Sequence, residues 1–388
     1  MNRKLISSLV GGAVITMSGA AHAQVTATLF GVAHAQLEAV EATDATNPGQ
    51  DKAWRSRVSN VSSELGLKGS APLTPDVKGV FAFVTAVSVD NGNANAGAGM
   101  WANAKDVYVG ANFANIGTLK LGRMTGAARW NSGSADFSYA GAGPQDDQSV
   151  LSGVSGQSAA GPLFNIRMDN TVGFESAAWN GFSFRAYYSA NENKSAATVA
   201  TGSRLNDSSY SLLLRYQAGP LDMRASLEDR HDKGTLNNTT TDHTQDKDVR
   251  LAVRYTLPTR TILAVNYDRM RLSDSTATGS SKALLRKSGW VVSADQELGQ
   301  HTVYAAYGQA PDVHVTLADG TVSDTTHTGA TELVLGYQYN FTKQFMLEAF
   351  YSQVANESQA KYDFDSGGIG PGTGARLRAV GAGLRYEF

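Results

Sequence analysis

The chain has 388 residues, 42% apolar and 18% charged, a balance that excludes a disordered polyelectrolyte. It has no cysteine, which excludes disulfide scaffolds, thiolate zinc sites and cysteine nucleophiles. The formal net charge is −2, and removing Arg3 and Lys4 with the first 23 residues leaves −4, too small to imply nucleic-acid binding.

The N-terminus reads as a secretory signal peptide over 1–23. Asn2-Arg3-Lys4 is a basic start, Leu5 to Met17 is mostly apolar and small, and Ala21-His22-Ala23 is an A-x-A cleavage site. The apolar stretch is shorter than the ~20 residues that a spanning helix needs. No later segment reaches that length, so any membrane insertion must use strands.

From residue 24 onward the dominant pattern is period two, and sixteen strands are predicted. They lie near 25–38, 57–70, 77–89, 103–113, 116–123, 167–176, 181–190, 207–217, 220–230, 247–256, 261–271, 286–297, 301–309, 330–340, 344–353 and 376–388. Near the end of the chain, Leu333, Leu335, Tyr337, Tyr339 and Phe341 alternate with Glu332, Val334, Gly336, Gln338 and Asn340. Such alternation sets one face in an apolar medium and the other in a polar one. Short links such as Ala114-Asn115, Ala218-Gly219 and Thr342-Lys343 alternate with long ones at 39–56, 90–102, 124–166, 191–206, 231–246, 272–285, 310–329 and 354–375. That asymmetry predicts an all-β, antiparallel, up-and-down transmembrane barrel with both termini at the short-turn end. The barrel must close, because an open sheet edge cannot be satisfied in hydrocarbon. Aromatic residues near strand ends, among them Phe182, Phe184, Phe345 and Tyr386, match girdles at headgroup level.

Parity puts Arg185, Arg215, Arg224, Arg250, Arg254 and Arg385 on polar faces, with Glu175, Asp222, Glu228, Asp268, Asp295, Glu332, Glu348 and Glu387. A lipid-facing Arg or Lys at mid-bilayer would cost ~2–4 kcal/mol, so these charges point to a wet interior or to pairs across the wall. The chain has no G-x-S-x-G and no H-E-x-x-H, and no catalytic residue is assigned. Asp90, Asn93 and Asn95 offer oxygen ligands, but their spacing misses the EF-hand pattern and the segment reads as a solvated turn. No metal and no cofactor is implied.

Several stretches carry a family resemblance. Leu29-Phe30-Gly31-Val32, Ser59 to Gly69, Val107-Tyr108-Val109-Gly110, Ile116 to Arg123, Asp169-Asn170-Thr171-Val172, Asn180 to Phe184 and Gly383 to Phe388 resemble, in order and spacing, the strands of Gram-negative porins of the β-proteobacterial type. The resemblance implies a 16-stranded, homotrimeric outer-membrane barrel that lets small hydrophilic solutes and ions diffuse passively. Its surroundings would be outer-membrane lipid and lipopolysaccharide. It also implies that the third external loop, here 124–166, folds inward to narrow the channel, its carboxylates facing basic wall residues. On that basis Lys68, Lys105, Arg123 and Arg167 are expected at the wall, and Asp136, Asp146 and Asp147 on the loop. Phe388 resembles the family's assembly signal. Glu64 stands where the family usually has a pore-lining arginine, and Ala82 and Val84 occupy inward positions that are often polar, so ion selectivity does not transfer directly. Trp130, Phe137 and Tyr139 form either a sliding surface for a particular solute or anchors of the loop to the wall. A substrate-selective channel, a soluble secreted β-protein for binding or adhesion, and a barrel enzyme are the alternatives.

Overall fold

The computed structural model describes residues 25–388 except 92–103, 133–142, 147, 155–163, 191–206, 233–244, 274–283, 318 and 366. The expected signal peptide, Asn93, Asn95, Asp136, Phe137, Tyr139 and Asp147 lie outside the described residues.

The described strands are β1 Thr26–Thr43, β2 Lys52–Asn60, β3 Glu64–Thr74, β4 Val77–Ala86, β5 Ala104–Phe113, β6 Gly117–Thr125, β7 Arg167–Ser176, β8 Phe182–Ala190 and β9 Ser208–Ala218. They continue with β10 Leu221–His231, β11 Gln245–Thr256, β12 Thr261–Ser273, β13 Leu284–Leu298, β14 His301–Ala310, β15 His314–Thr316, β16 Ala330–Asn340, β17 Phe345–Asn356 and β18 Arg376–Glu387. All join one antiparallel sheet, closed by β1 against β18 from Val32↔Glu387 to Thr43↔Arg376. β2 and β3 pair successive parts of β1 on either side of residues 61–63, so they are two halves of one wall strand. β15 continues β14 along β13 past residues 311–313. The wall therefore has sixteen strands.

The alternation shows most plainly along β12. Leu263, Val265 and Tyr267 are exposed on the outer face, while Ala264, Asn266, Asp268, Met270 and Leu272 are buried on the inner one. Exposed apolar side chains all round a closed wall suit contact with hydrocarbon. The short turns need left-handed backbone, which Asn115 (φ 61°), Gly219 (φ 53°) and Gly299 (φ 67°) supply.

Several predicted boundaries shift by a few residues, and two links change more. The first link, expected over 39–56, shrinks to residues 44–51, closed by a 3-10 turn at Pro48–Gln50. The added strand residues are mixed polar and small, so alternation alone does not mark them. Glu38 Oε1 accepts from Arg57 Nε and Ser59 Oγ, each at 2.5 Å, and Arg378 Nη1 donates to Glu41 Oε1 at 2.8 Å. The expected link 310–329 contains β15, with Thr316 bridged to Val322.

Candidate functional site

Two short helices lie in the 124–166 segment, α1 Ala127–Ser132 and α2 Gln148–Leu151. The first turn of a helix leaves N–H groups without intrahelical partners. At α1 the inner wall satisfies them: Ala127 N donates to Ser211 Oγ at 2.8 Å and Ala128 N to Glu228 Oε1 at 3.0 Å. Its carbonyls are met by wall cations. Arg250 Nη1 donates to Ala128 O at 3.0 Å, and Arg224 Nη1 to Trp130 O at 2.8 Å. Asn131 returns a bond from Nδ2 to Arg250 O at 2.7 Å.

Arg250 is fully buried. It donates to Asp268 Oδ2 from Nη2 at 2.5 Å and from Nε at 3.1 Å, and to Ser152 Oγ at 2.7 Å. One guanidinium thus joins α1, the chain after α2 and strands β11 and β12.

Lys287 Nζ, also buried, donates to Val150 O at 2.6 Å and Leu151 O at 2.7 Å, the carbonyls ending α2. A Cβ at Gly289 would stand 2.7 Å from Val150 O, so only glycine lets α2 come this close to β13. Val150 and Leu151 join one apolar cluster with inward Val291, Tyr304, Val334 and Val354, and with Tyr362, Phe364 and Ile369 of the last long link. The described parts of the third and eighth links, α1, α2 and the stretch around Tyr362–Ile369, therefore pack against the inner face of β9–β17.

The inner face of β3–β8 carries charges, of which Glu64, Asp106 and Arg167 are half-buried and Lys105 is buried. Lys105, at a register shift opposite Phe83–Thr85, donates from Nζ to Glu64 Oε2 at 2.7 Å and to Ser62 O at 2.9 Å. Arg167 Nε lies 3.7 Å from Asp106 Oδ1, which accepts from Thr125 Oγ1 at 2.6 Å. Arg129 of α1, anchored through Nη1 to Asn165 O at 2.9 Å, acts electrostatically on both Lys105 and Arg167. Three cations and two carboxylates, Glu64 and Asp106, thus meet where α1 faces the opposite wall.

Of the expected site residues, Glu64, Lys105 and Arg167 come together here. Lys68 stands lower on the wall, its Nζ 5.0 Å from the Phe30 ring centre. Arg123 goes elsewhere. By register it stands opposite Val107, on the outward face of Leu119 and Leu121, and pairs with Asp169. Asp146 is fully buried rather than lumenal, with its carboxyl hydrogen-bonded to Asp365 of the last link. Ala82 and Val84 are inward and buried. Several parity-assigned charges, namely Glu228, Arg250, Asp268, Glu332 and Glu348, are also buried; Glu228, Arg250 and Asp268 hold the loop, and Glu348 accepts from Gln36 of the wall.

Sequence reasoning missed Arg129, Asp106 and the anchoring role of Arg250. A helix-compatible Ala127-Ala128-Arg129-Trp130 run was the only sequence signal for the first, and the others depend on contacts far apart along the chain.

The model of the Gram-negative porin family matches residues 9–359. The chain is 24% identical to outer membrane porin protein 32 of Delftia acidovorans, over 98% of this chain and 99% of that one. Its fold is similar to that of an anion-selective porin from Comamonas acidovorans, with a TM-score of 0.73 and 19% identity over 94% of this chain and 100% of that one. It is also similar to the trimer form of OmpT of Vibrio cholerae, with a TM-score of 0.62 and 15% identity over 94% and 99% of the two chains.

Proposed function

The chain belongs to the Gram-negative porin family, and on that premise we propose that its constriction is the gap between Arg129 on α1 and the Lys105–Glu64 and Arg167–Asp106 pairs on the wall. The protein is an outer-membrane porin, a passive diffusion channel for small hydrophilic solutes and ions. The finer reading is a modest preference for anions. It rests on one observation: the loop presents a cation, Arg129, to a wall whose own charges at that level balance. The channel's net charge there is therefore positive, and a charge at a narrowing biases ion passage. The Comamonas acidovorans relative, described as anion-selective, supports the same sign. The departure at Glu64 limits the preference, because its carboxylate neutralises Lys105.

Reversal potentials across a planar bilayer in a KCl gradient test this. The wild-type potential should show chloride more permeant than potassium. One charge ~6 Å from a passing ion in water-like dielectric is worth ~0.7 kcal/mol, attractive for chloride and repulsive for potassium, so Arg129→Gln should lower the chloride-to-potassium ratio by up to about ten-fold. A ratio below one in the wild type, or an unchanged ratio in the variant, would count against this constriction.

Assembly as a homotrimer follows from the same family reading. The outward residues of β1 include Ala27, Ala33, Ala35 and Ala39, small enough for a second wall to approach closely. Cross-linking of the protein in outer-membrane vesicles should stop at three chains, and a ladder ending at one or two would refute it.

A further inference from the structure

We propose that Trp130 and Arg185 form a solute subsite on the short-turn side of the constriction that takes aromatic carboxylates. The inference rests on the channel reading.

The guanidinium carbon of Arg185 lies 3.8 Å from the centre of the Trp130 ring, a close cation–π stack. One part of the indole is thus covered, while Trp130 remains 38% exposed. The platform is rigid. Arg224 holds the Trp130 carbonyl, and Ser211, Glu228 and Arg250 hold the turn before it. A flat ring therefore finds a preorganised surface, with little ordering left to do on binding.

Arg185 is not used up by the wall. Its register partner is Glu175, on which Arg185 acts through its field, but the hydrogen bonds to that carboxylate come from Lys120 at 2.8 Å and the Tyr187 hydroxyl at 2.5 Å. Nη1 of Arg185 is buried and has no hydrogen-bond partner among the described residues. A guanidinium whose N–H donors are unspent matches a carboxylate, to which arginine can donate two parallel bonds. The neighbouring charges add to the field. Asp222 accepts from both Arg215 and Arg224, leaving that trio with a surplus cation.

A solute with a ring and a carboxylate can thus stack on the exposed part of the indole while its anion meets Arg185. Acetate lacks the ring and benzyl alcohol lacks the charge, so neither satisfies both elements. Binding of this kind slows passage at the subsite and shows as saturable interruption of ion current.

The test is titration of the KCl current of the reconstituted protein with benzoate, acetate and benzyl alcohol. Benzoate should interrupt the current saturably, at concentrations where the other two do not. Trp130→Ala and Arg185→Gln should each raise its half-blocking concentration roughly three- to ten-fold, read against each variant's own open current. Trp130→Phe, which keeps a ring, should recover most of the effect. Benzoate no stronger than acetate in the wild type overturns the proposal, as does block indifferent to Arg185→Gln. Both outcomes stand even where Trp130→Ala fails to insert. An absence of any stepwise KCl current would instead overturn the channel reading, which keeps the two failures apart.

Discussion

At the residue scale, two glycines are specified by what approaches them. Gly31 receives the ring of Phe388, whose Cζ would lie 2.5 Å from an added Cβ, while the backbones of the two residues exchange hydrogen bonds of 3.0 and 3.1 Å. Gly289 receives the backbone of α2. Gly289→Val would put a branched side chain where Val150 O now lies, and overpacking of this kind costs ~1–3 kcal/mol. The cost should fall on the loop rather than the wall, because β13 keeps its ladder to β12 and β14. We therefore expect Gly289→Val to insert and keep its heat-modifiable gel mobility while protease cleavage within 143–154 accelerates several-fold. Equal cleavage rates would show that α2 does not rest on this position. Neither glycine's purpose was legible in the sequence. Period two identifies Gly289 as a strand residue, but its partner is 138 positions earlier in the chain at Leu151 and belongs to a helix of four residues.

At the element scale, the wall and its loop differ in how far local pattern determines them. Each strand spans about ten residues of alternating polarity, and its pairing partner is usually the next strand, so parity suffices to place it. The sixteen wall strands were readable for that reason, and the misplaced ends are stretches such as 39–43, where Val40 is the one large apolar residue. Segment 124–166 has no such rule. α1 is too short to be stable by propensity alone, and its position is set by Ser211, Glu228, Arg224 and Arg250 on three strands. Arg250 is the most demanding of these, because it is buried with Asp268 and close to Asp248. Arg250→Met would keep the volume but leave carboxylates buried without their cation, and breaking a buried pair on one side costs ~3–5 kcal/mol. α1 would also lose the donor at Ala128 O. The variant should show larger and noisier single-channel steps in KCl, as the loop leaves the bore. Arg250→Met with Asp268→Leu should recover part of the stability but not the quiet current, since the helix anchor stays absent. Identical current noise in wild type and Arg250→Met would refute the anchoring role.

At the scale of the whole molecule, the inner face is asymmetric: the described parts of links three and eight pack on the side of β9–β17, and charges lie on the side of β3–β8. The two links meet in an apolar cluster and at one polar contact, where Asp365 faces Asp146 and its N–H donates to Ser149 Oγ at 3.3 Å. Desolvation by burial pushes the Asp365 carboxyl above its ordinary range, against the hydrogen bond from Asp146 and the fields of Arg129 and Arg250. A carboxyl raised in the folded state binds its proton more tightly there than in the unfolded chain. Its contribution to holding the links together is therefore complete below the ordinary carboxylate range and is lost as pH rises through the raised value. The α2 region should accordingly be more protected from hydrogen exchange at pH 4 than at pH 8, and the open-channel current quieter. Asp365→Asn keeps a group that can hydrogen-bond Asp146 without ionising, so it should hold the quiet, protected state across the whole range. Current noise that grows toward acid, or a pH response undiminished in Asp365→Asn, would place the control of this contact elsewhere. Because the wall's own pairing does not involve Asp365, the barrel's heat-modifiable mobility should stay the same in both proteins at both pH values, separating loosening of the loops from loss of the fold.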